Sequence, residues 1–157
     1  MKITGLRAHA ASLGVVLAVL ASVPAQAMYS HGEAEALRKL DIMLMVSSLR
    51  CRFGEDNFQA DYERFSARHL STLNGAYRTL HDGLSRTHGP KRATRMLDDI
   101  SVKMANRYGL GHPWLDCRQL KEVTRELADR RSGDELLADA GYLLADGPGT
   151  GRMIAAR

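Results

Sequence analysis

Apolar residues recur at intervals of three and four through most of the chain, the spacing that places side chains on one face of a helix. The first such segment, residues 33–52, contains neither Gly nor Pro, and its middle is apolar nearly all round. That pattern is typical of a helix at the centre of a bundle. A second segment follows the break at residues 53–56, with Asp56 as its predicted N-cap, and extends to about Leu80.

Two more helices are predicted in the second half of the chain. Two glycines and several polar residues indicate a loop at residues 81–89, after which Pro90 suits the first turn of a third helix. A fourth helix is predicted to begin near Trp114 or Asp116, where apolar residues again recur at helical spacing.

The last predicted helix is short. Ser132 and Glu135 match the S-x-x-E capping box that marks a helix start. The glycines within residues 147–151 cannot continue a helix, so residues 147–157 are predicted to form a disordered tail. No segment of useful length alternates as a β-strand does. The pattern therefore predicts an all-α fold, a four- or five-helix bundle, in residues 28–146.

The N-terminus has the pattern of a secretory signal peptide. A basic start precedes an apolar run at residues 13–23, which is too short to span a bilayer. Ala25 and Ala27 fit the small-residue motif that a signal peptidase accepts, so residues 1–27 are predicted to be removed. We therefore expect a protein of the periplasm or the medium, without an integral membrane segment after cleavage.

Cys51 and Cys117 are the only cysteines in the chain. In an oxidising compartment the expected outcome is a disulfide, with two free thiols or metal ligands as the alternatives. Cys51 lies on the apolar face near the end of the first predicted helix, and Cys117 lies on the apolar face at the start of the fourth. A bridge would join those two helix ends. The absence of C-x-x-C pairs and of cysteine–histidine clusters at zinc spacing favours the disulfide.

Two polar residues interrupt apolar faces and are the candidate catalytic groups. His69 lies within the stripe of the second predicted helix, between Phe65 and Leu73, and Asp41 lies on the side of the first helix occupied by Leu37. His69 is either a general base or metal ligand, or a core histidine hydrogen-bonded to a neighbour. A buried carboxylate needs a partner, which could be His69 or an arginine, and an Asp41–His69 contact is our hypothesis.

The sequence lacks the motifs of several other kinds of functional site. Charges of both signs are interleaved along the predicted helices, so the formal net charge of +4 does not favour nucleic-acid binding. The chain has no haem-attachment motif, nucleophile elbow or phosphate-binding loop. His81, His88 and His112 fall in or beside predicted loops, where solvated side chains are the simpler interpretation. We therefore predict neither a metal ion nor a cofactor.

One part of the chain resembles known proteins. Residues 43–52 (MLMVSSLRCR), residues 56–62 (DNFQADY), and the pairs His69-Leu70 and Leu73-Asn74 are similar to a group of small exported bacterial helical proteins with no assigned activity. The resemblance covers the first two predicted helices after the signal peptide. It implies export and helicity, and it implies no reaction.

Two functions follow as hypotheses. The first is a binding or structural module that presents a surface or groove to an envelope protein, a peptide or a small ligand. The alternative is a small envelope hydrolase, with His69 and a carboxylate such as Asp41 or Glu55 in acid–base roles. In either case Arg50, Arg52 and Arg68 could hold an anionic group.

Overall fold

The computed structural model describes residues 29–147, which form six helices and no strand. The helices are α1 His31–Arg50, α2 Gln59–Arg68, α3 Leu70–His88, α4 Pro90–Tyr108, α5 Cys117–Asp129 and α6 Gly133–Leu143. The predicted all-α class is confirmed, but the predicted count of four or five helices was wrong. The predicted signal peptide and, apart from Gly147, the predicted tail lie outside the described residues.

Helix α1 is the central element, as its apolar sequence indicates. It contacts all five other helices, and Leu37, Leu40 and Leu44 are completely buried. A capping box fixes its start: the Glu33 backbone N–H donates to Ser30 Oγ (3.2 Å), and the Ser30 N–H donates to a Glu33 carboxylate oxygen (2.8 Å). These bonds satisfy backbone groups that the helix itself leaves free.

The segment predicted as one long second helix is two helices that meet at His69. The backbone there leaves the helical region (φ −102°, ψ 15°), and α2 ends while α3 begins. Helix α2 packs mainly on α5, whereas α3 packs on α1 and α4, and one straight helix could not reach both sets of neighbours. The Asp56 cap was also wrong, because α2 starts at Gln59, whose N–H donates to Asn57 Oδ1 (3.0 Å).

The loop predicted at residues 81–89 was wrong as well, because α3 continues to His88. Leu80 and Leu84 are both buried, so the apolar stripe of the helix extends through this segment despite Gly83. The turn to α4 is confined to Gly89, whose φ of 79° is unfavourable for other residues. Pro90 is the first residue of α4, as predicted.

Helices α5 and α6 begin close to the predicted positions. Asp116 and Gln119 form a reciprocal capping box at the start of α5. At α6 the Ser132 hydroxyl accepts the Glu135 N–H as predicted, but the Glu135 carboxylate accepts the N–H of Arg131. Half of that predicted capping box is therefore confirmed.

The predicted disulfide between Cys51 and Cys117 is present, with the two Cα atoms 5.8 Å apart. It joins the residue that follows α1 to the first residue of α5, across 66 positions of sequence. Within residues 29–147 no helix combines the length and the apolar content of a membrane span.

Candidate functional site

A polar groove lies over Asp41, between α1 on one side and α2 and α3 on the other. We call it the Asp41 groove; it has a volume of about 330 Å³. Its walls contain charged, amide, hydroxyl and apolar side chains, namely Arg38, Asp41, Ser66, Leu70, Leu73, Asn74 and Tyr77. The break at His69 creates this mixture, because it brings the end of α2 and the start of α3 to the same face of α1.

Asp41 forms the floor of the groove. The Tyr62 hydroxyl donates to Asp41 Oδ1 (3.0 Å), and Arg38 Nη1 donates to Oδ2 (3.4 Å). Burial raises the pKa of Asp41, and the contacts with Tyr62 and Arg38 partly oppose that increase. Burial and the neighbouring carboxylate also raise the pKa of Tyr62, so this phenol stays protonated and serves as a donor.

Arg38 connects the floor to the rim. Its Nη2 donates to Ser101 Oγ on α4 (3.3 Å), and its guanidinium lies over the Tyr77 ring, 6.0 Å from the centroid. The Nε atom is buried and has no hydrogen-bond partner within the described part of the protein. A buried donor without a partner is costly, so an acceptor that reached the Nε–H would stabilise this side chain.

The rim of the groove is apolar. Leu70 and Tyr77, both on α3, are 55% and 41% exposed and are among the few large hydrophobic side chains on the surface. A concave site with apolar walls and a few convergent polar groups is the usual form of a small-ligand site. This arrangement can bind and orient a ligand.

His69 does not belong to this groove. Its ring is buried, and its Nε2–H donates to the carbonyl oxygen of Leu127 in the last turn of α5 (2.8 Å). The ring also packs against Phe65, with the centroids 5.2 Å apart. The predicted Asp41–His69 hydrogen bond is therefore not formed among the described residues, because each side chain has another partner.

A second buried histidine donates a hydrogen bond to a carbonyl at the end of a helix, here α6. His112 was predicted in a loop, and it is in one, but its side chain is buried and its Nε2–H donates to the Leu143 carbonyl (3.0 Å). Burial lowers the pKa of His112. Its other ring nitrogen accepts the Trp114 N–H (3.5 Å), and the Trp114 ring packs between His112 and Tyr142.

The remaining predicted candidates lie apart from one another. Arg50 and Arg52 are exposed beside Cys51, whereas Arg68 is exposed at the opposite end of α2. Glu55 is exposed on the loop before α2. In residues 29–147 no three acidic, histidine or cysteine side chains are close enough together to hold a metal ion.

The sequence reasoning found Asp41 but missed Arg38, Tyr62 and Tyr77. A signal for Tyr62 was available, because its hydroxyl had to be bonded if the ring belonged to the apolar stripe. Arg38 follows Leu37 near the start of the first apolar segment, where a charged side chain is usually solvated. Its insertion between Asp41 and α4 depends on how the helices pack, which the helical spacing does not specify.

Comparison with known proteins adds no family. No protein-family model matches the chain, and no curated protein or solved structure matches it significantly. The resemblance to small exported bacterial proteins therefore stays a prediction.

Proposed function

We propose that this protein is an exported, non-catalytic binding module of the cell envelope, and that the Asp41 groove holds its ligand. The observation that carries the proposal is that Arg38, whose buried Nε–H has no partner in the described part of the protein, lines a groove with exposed apolar walls. Such a donor gains a full hydrogen bond when a ligand oxygen reaches it.

The groove supports a specific kind of ligand. A carbonyl or carboxylate oxygen would accept from Arg38, and an apolar or planar group would pack against Leu70 and Tyr77. Asn74 and Ser66 offer further hydrogen bonds on the same wall. A peptide segment with one apolar side chain beside a backbone carbonyl satisfies these requirements.

The hydrolase alternative has less support. His69 donates to a backbone carbonyl inside the bundle, and Asp41 already accepts from Tyr62 and Arg38. A general base needs a free acceptor within reach of a substrate proton. His69 lacks that access, and each oxygen of Asp41 already accepts one hydrogen bond. No observation within residues 29–147 favours an acid–base pair elsewhere.

Capture from an envelope extract tests the groove. The protein recovered after export is immobilised in three forms: the wild type, the groove variant Leu70→Ser/Tyr77→Ala, and the control Val102→Ser. Val102 is a matched control because its side chain is 56% exposed and lies on α4, outside the groove. Bound proteins and small molecules are identified by mass spectrometry. We expect molecules retained by the wild type and the control to be lost from the groove variant. Identical lists from all three proteins would contradict the proposal.

Export and catalysis are tested separately. Intact-mass analysis of the secreted protein should give an N-terminus at Met28 and an oxidised cysteine pair. Hydrolysis of cell-wall material by the wild type, abolished by Asp41→Asn in a protein that still folds, would replace the binding function with the hydrolase.

A further inference from the structure

The disulfide gathers a distinctive set of side chains at one end of the bundle. Arg50 and Arg52 flank Cys51, and Arg118 follows Cys117, so a Cα separation of 5.8 Å across the bridge brings all three arginines to the same region. Leu110 and Arg50 line one small cavity beside the bridge, with a volume of about 210 Å³. We call Leu49, Arg50, Arg52, Phe53, Leu110 and Arg118 the disulfide-end surface; it shares no residue with the Asp41 groove.

The apolar members of this surface protrude. Leu110 is 92% exposed and Phe53 is 81% exposed, the two highest values among the large hydrophobic side chains described. Leu49 adds a third apolar side chain that is 44% exposed. Side chains that are this exposed stand out from the surface. Such protruding apolar side chains can insert into the interfacial region of a bilayer.

The charges nearby favour a negatively charged partner. None of the ion pairs in residues 29–147 uses Arg50, Arg52 or Arg118. The Arg52 guanidinium lies over the Phe53 ring, 4.5 Å from the centroid, so a charged group and an apolar group protrude together.

Acidic groups also lie at this end. The Asp116 carboxylate accepts the N–H of Gln119 at the start of α5. Glu55 and Asp56 follow Phe53 in sequence, and Lys121 Nζ donates to the Glu55 carbonyl oxygen (2.8 Å). Among the described residues none of these acids forms an ion pair with the three arginines, so their guanidinium groups are available to an anionic partner.

We propose that the disulfide-end surface docks on an anionic lipid bilayer, with Phe53 and Leu110 inserted at the interface and the arginines bound to lipid phosphates. Aromatic and apolar side chains partition into the interfacial region, and guanidinium groups bind phosphate oxygens there. The disulfide holds the two loops together, so both apolar tips enter the same bilayer.

Vesicle flotation tests this interface. Exported protein with its disulfide intact is mixed with vesicles of phosphatidylcholine alone or with phosphatidylglycerol added. We expect binding only to the anionic vesicles, weakened by salt because surface charges are screened. Phe53→Ser/Leu110→Ser and Arg50→Gln/Arg52→Gln/Arg118→Gln should each reduce binding about tenfold or more, as expected for losing buried apolar area or phosphate contacts. Circular dichroism verifies that each variant folds. If a multiple variant does not fold, the single variant Phe53→Ser is tested in its place.

Matched controls on α4 make the result specific. Val102→Ser removes an exposed apolar side chain, and Arg92→Gln/Arg95→Gln removes exposed charges, away from the disulfide. Both should bind vesicles as the wild type does. The proposal is overturned if anionic vesicles are not bound, or if the controls lose as much binding as the test variants. It is also overturned if polyglutamate is bound as well as the anionic vesicles are and Phe53→Ser does not weaken that binding, because the arginines alone would then account for it. A last contradicting result is a dimer, seen by light scattering, whose dissociation is the only effect of Phe53→Ser/Leu110→Ser.

Discussion

At the scale of single residues, two buried histidines join helix ends to the rest of the bundle. His69 donates to Leu127 near the end of α5, and His112 donates to Leu143 at the end of α6. The last carbonyls of a helix have no partner within it, so these bonds satisfy groups that burial would otherwise penalise. The histidine on the apolar stripe thus has the structural role that the sequence left open beside a catalytic one.

Replacing His69 should destabilise the protein. We expect His69→Ala to lower the free energy of unfolding by about 2 kcal/mol, because it removes a buried hydrogen bond and leaves a cavity beside Phe65. Urea denaturation measures the change. His88→Ala, at an exposed position of α3, is the control and should stay within about 0.5 kcal/mol of the wild type. Equal effects of the two substitutions would contradict the structural role of His69.

His112 should make stability depend on pH. Its pKa is lowered in the folded protein, so the unfolded chain takes up the proton first as the pH falls. The contribution of His112 is therefore complete above the unfolded pKa of about 6.5 and decreases as the pH falls below that value. Unfolding measured at pH 7.5 and pH 5 should show a smaller loss of stability in His112→Gln than in the wild type.

Asp41 makes stability depend on pH in the opposite direction, over a different pH range. Its folded pKa is raised, so ionisation of the carboxyl opposes folding, and stability increases as the pH falls through the folded pKa toward about 3.8. Measuring the His112 effect in an Asp41→Asn background separates the two groups. A pH dependence that is the same with and without His112 would contradict the assignment.

At the scale of elements, helix propensity and packing determine different boundaries. The starts of α1, α5 and α6 coincide with capping residues, which are local signals. The break between α2 and α3 has no Gly or Pro to mark it. It exists because α2 and α3 pack on different partners, and a pattern of apolar spacing is the same on both sides of such a break.

Two glycines of α6 should respond differently to alanine. A Cβ at Gly141 meets nothing within 4 Å, so Gly141→Ala should raise the free energy of unfolding by about 0.5–1 kcal/mol through helix propensity. A Cβ at Gly133 would overlap the hydroxyl of the buried Tyr29, so Gly133→Ala should lower it. Thermal denaturation of the two variants compares them directly. Stabilisation by both substitutions would contradict the packing of Tyr29 on α6.

At the scale of the whole molecule, the disulfide and the central helix organise the bundle. The bridge closes a loop that contains α2, α3 and α4, so it restricts that part of the unfolded chain. Helix α1 contacts every other helix, which makes its apolar surface the common core.

Removing the bridge should cost stability without changing the fold. For a separation of 66 residues, the chain-entropy relation gives about 4 kcal/mol. We expect Cys51→Ser/Cys117→Ser to lower the urea midpoint by a corresponding amount while the helical circular dichroism spectrum is retained. Reduction of the wild type with dithiothreitol should reproduce the variant. An unchanged midpoint in both experiments would contradict the effect.

Candidate site residues were only partly predictable. Asp41 was identifiable because a carboxylate on an apolar face requires a partner. The hypothesised partner was His69, with an unspecified arginine as the alternative, and the partners found are Arg38 and Tyr62. The contact from Tyr62 joins residues 21 positions apart on different helices. Such a contact depends on the rotation of one helix against another, and the local sequence does not contain that information.

The sequence alone determined the helical class, the central position of α1, the approximate starts of α5 and α6, and the pairing of two cysteines, because these follow from local spacing and from a choice between only two thiols. Tertiary structure alone decided where α2 ends, which carbonyls the buried histidines reach, and which side chains surround Asp41. Those features depend on distances between segments far apart in the chain. Many arrangements of the same helices would bury the same apolar stripes, and only packing selects among them.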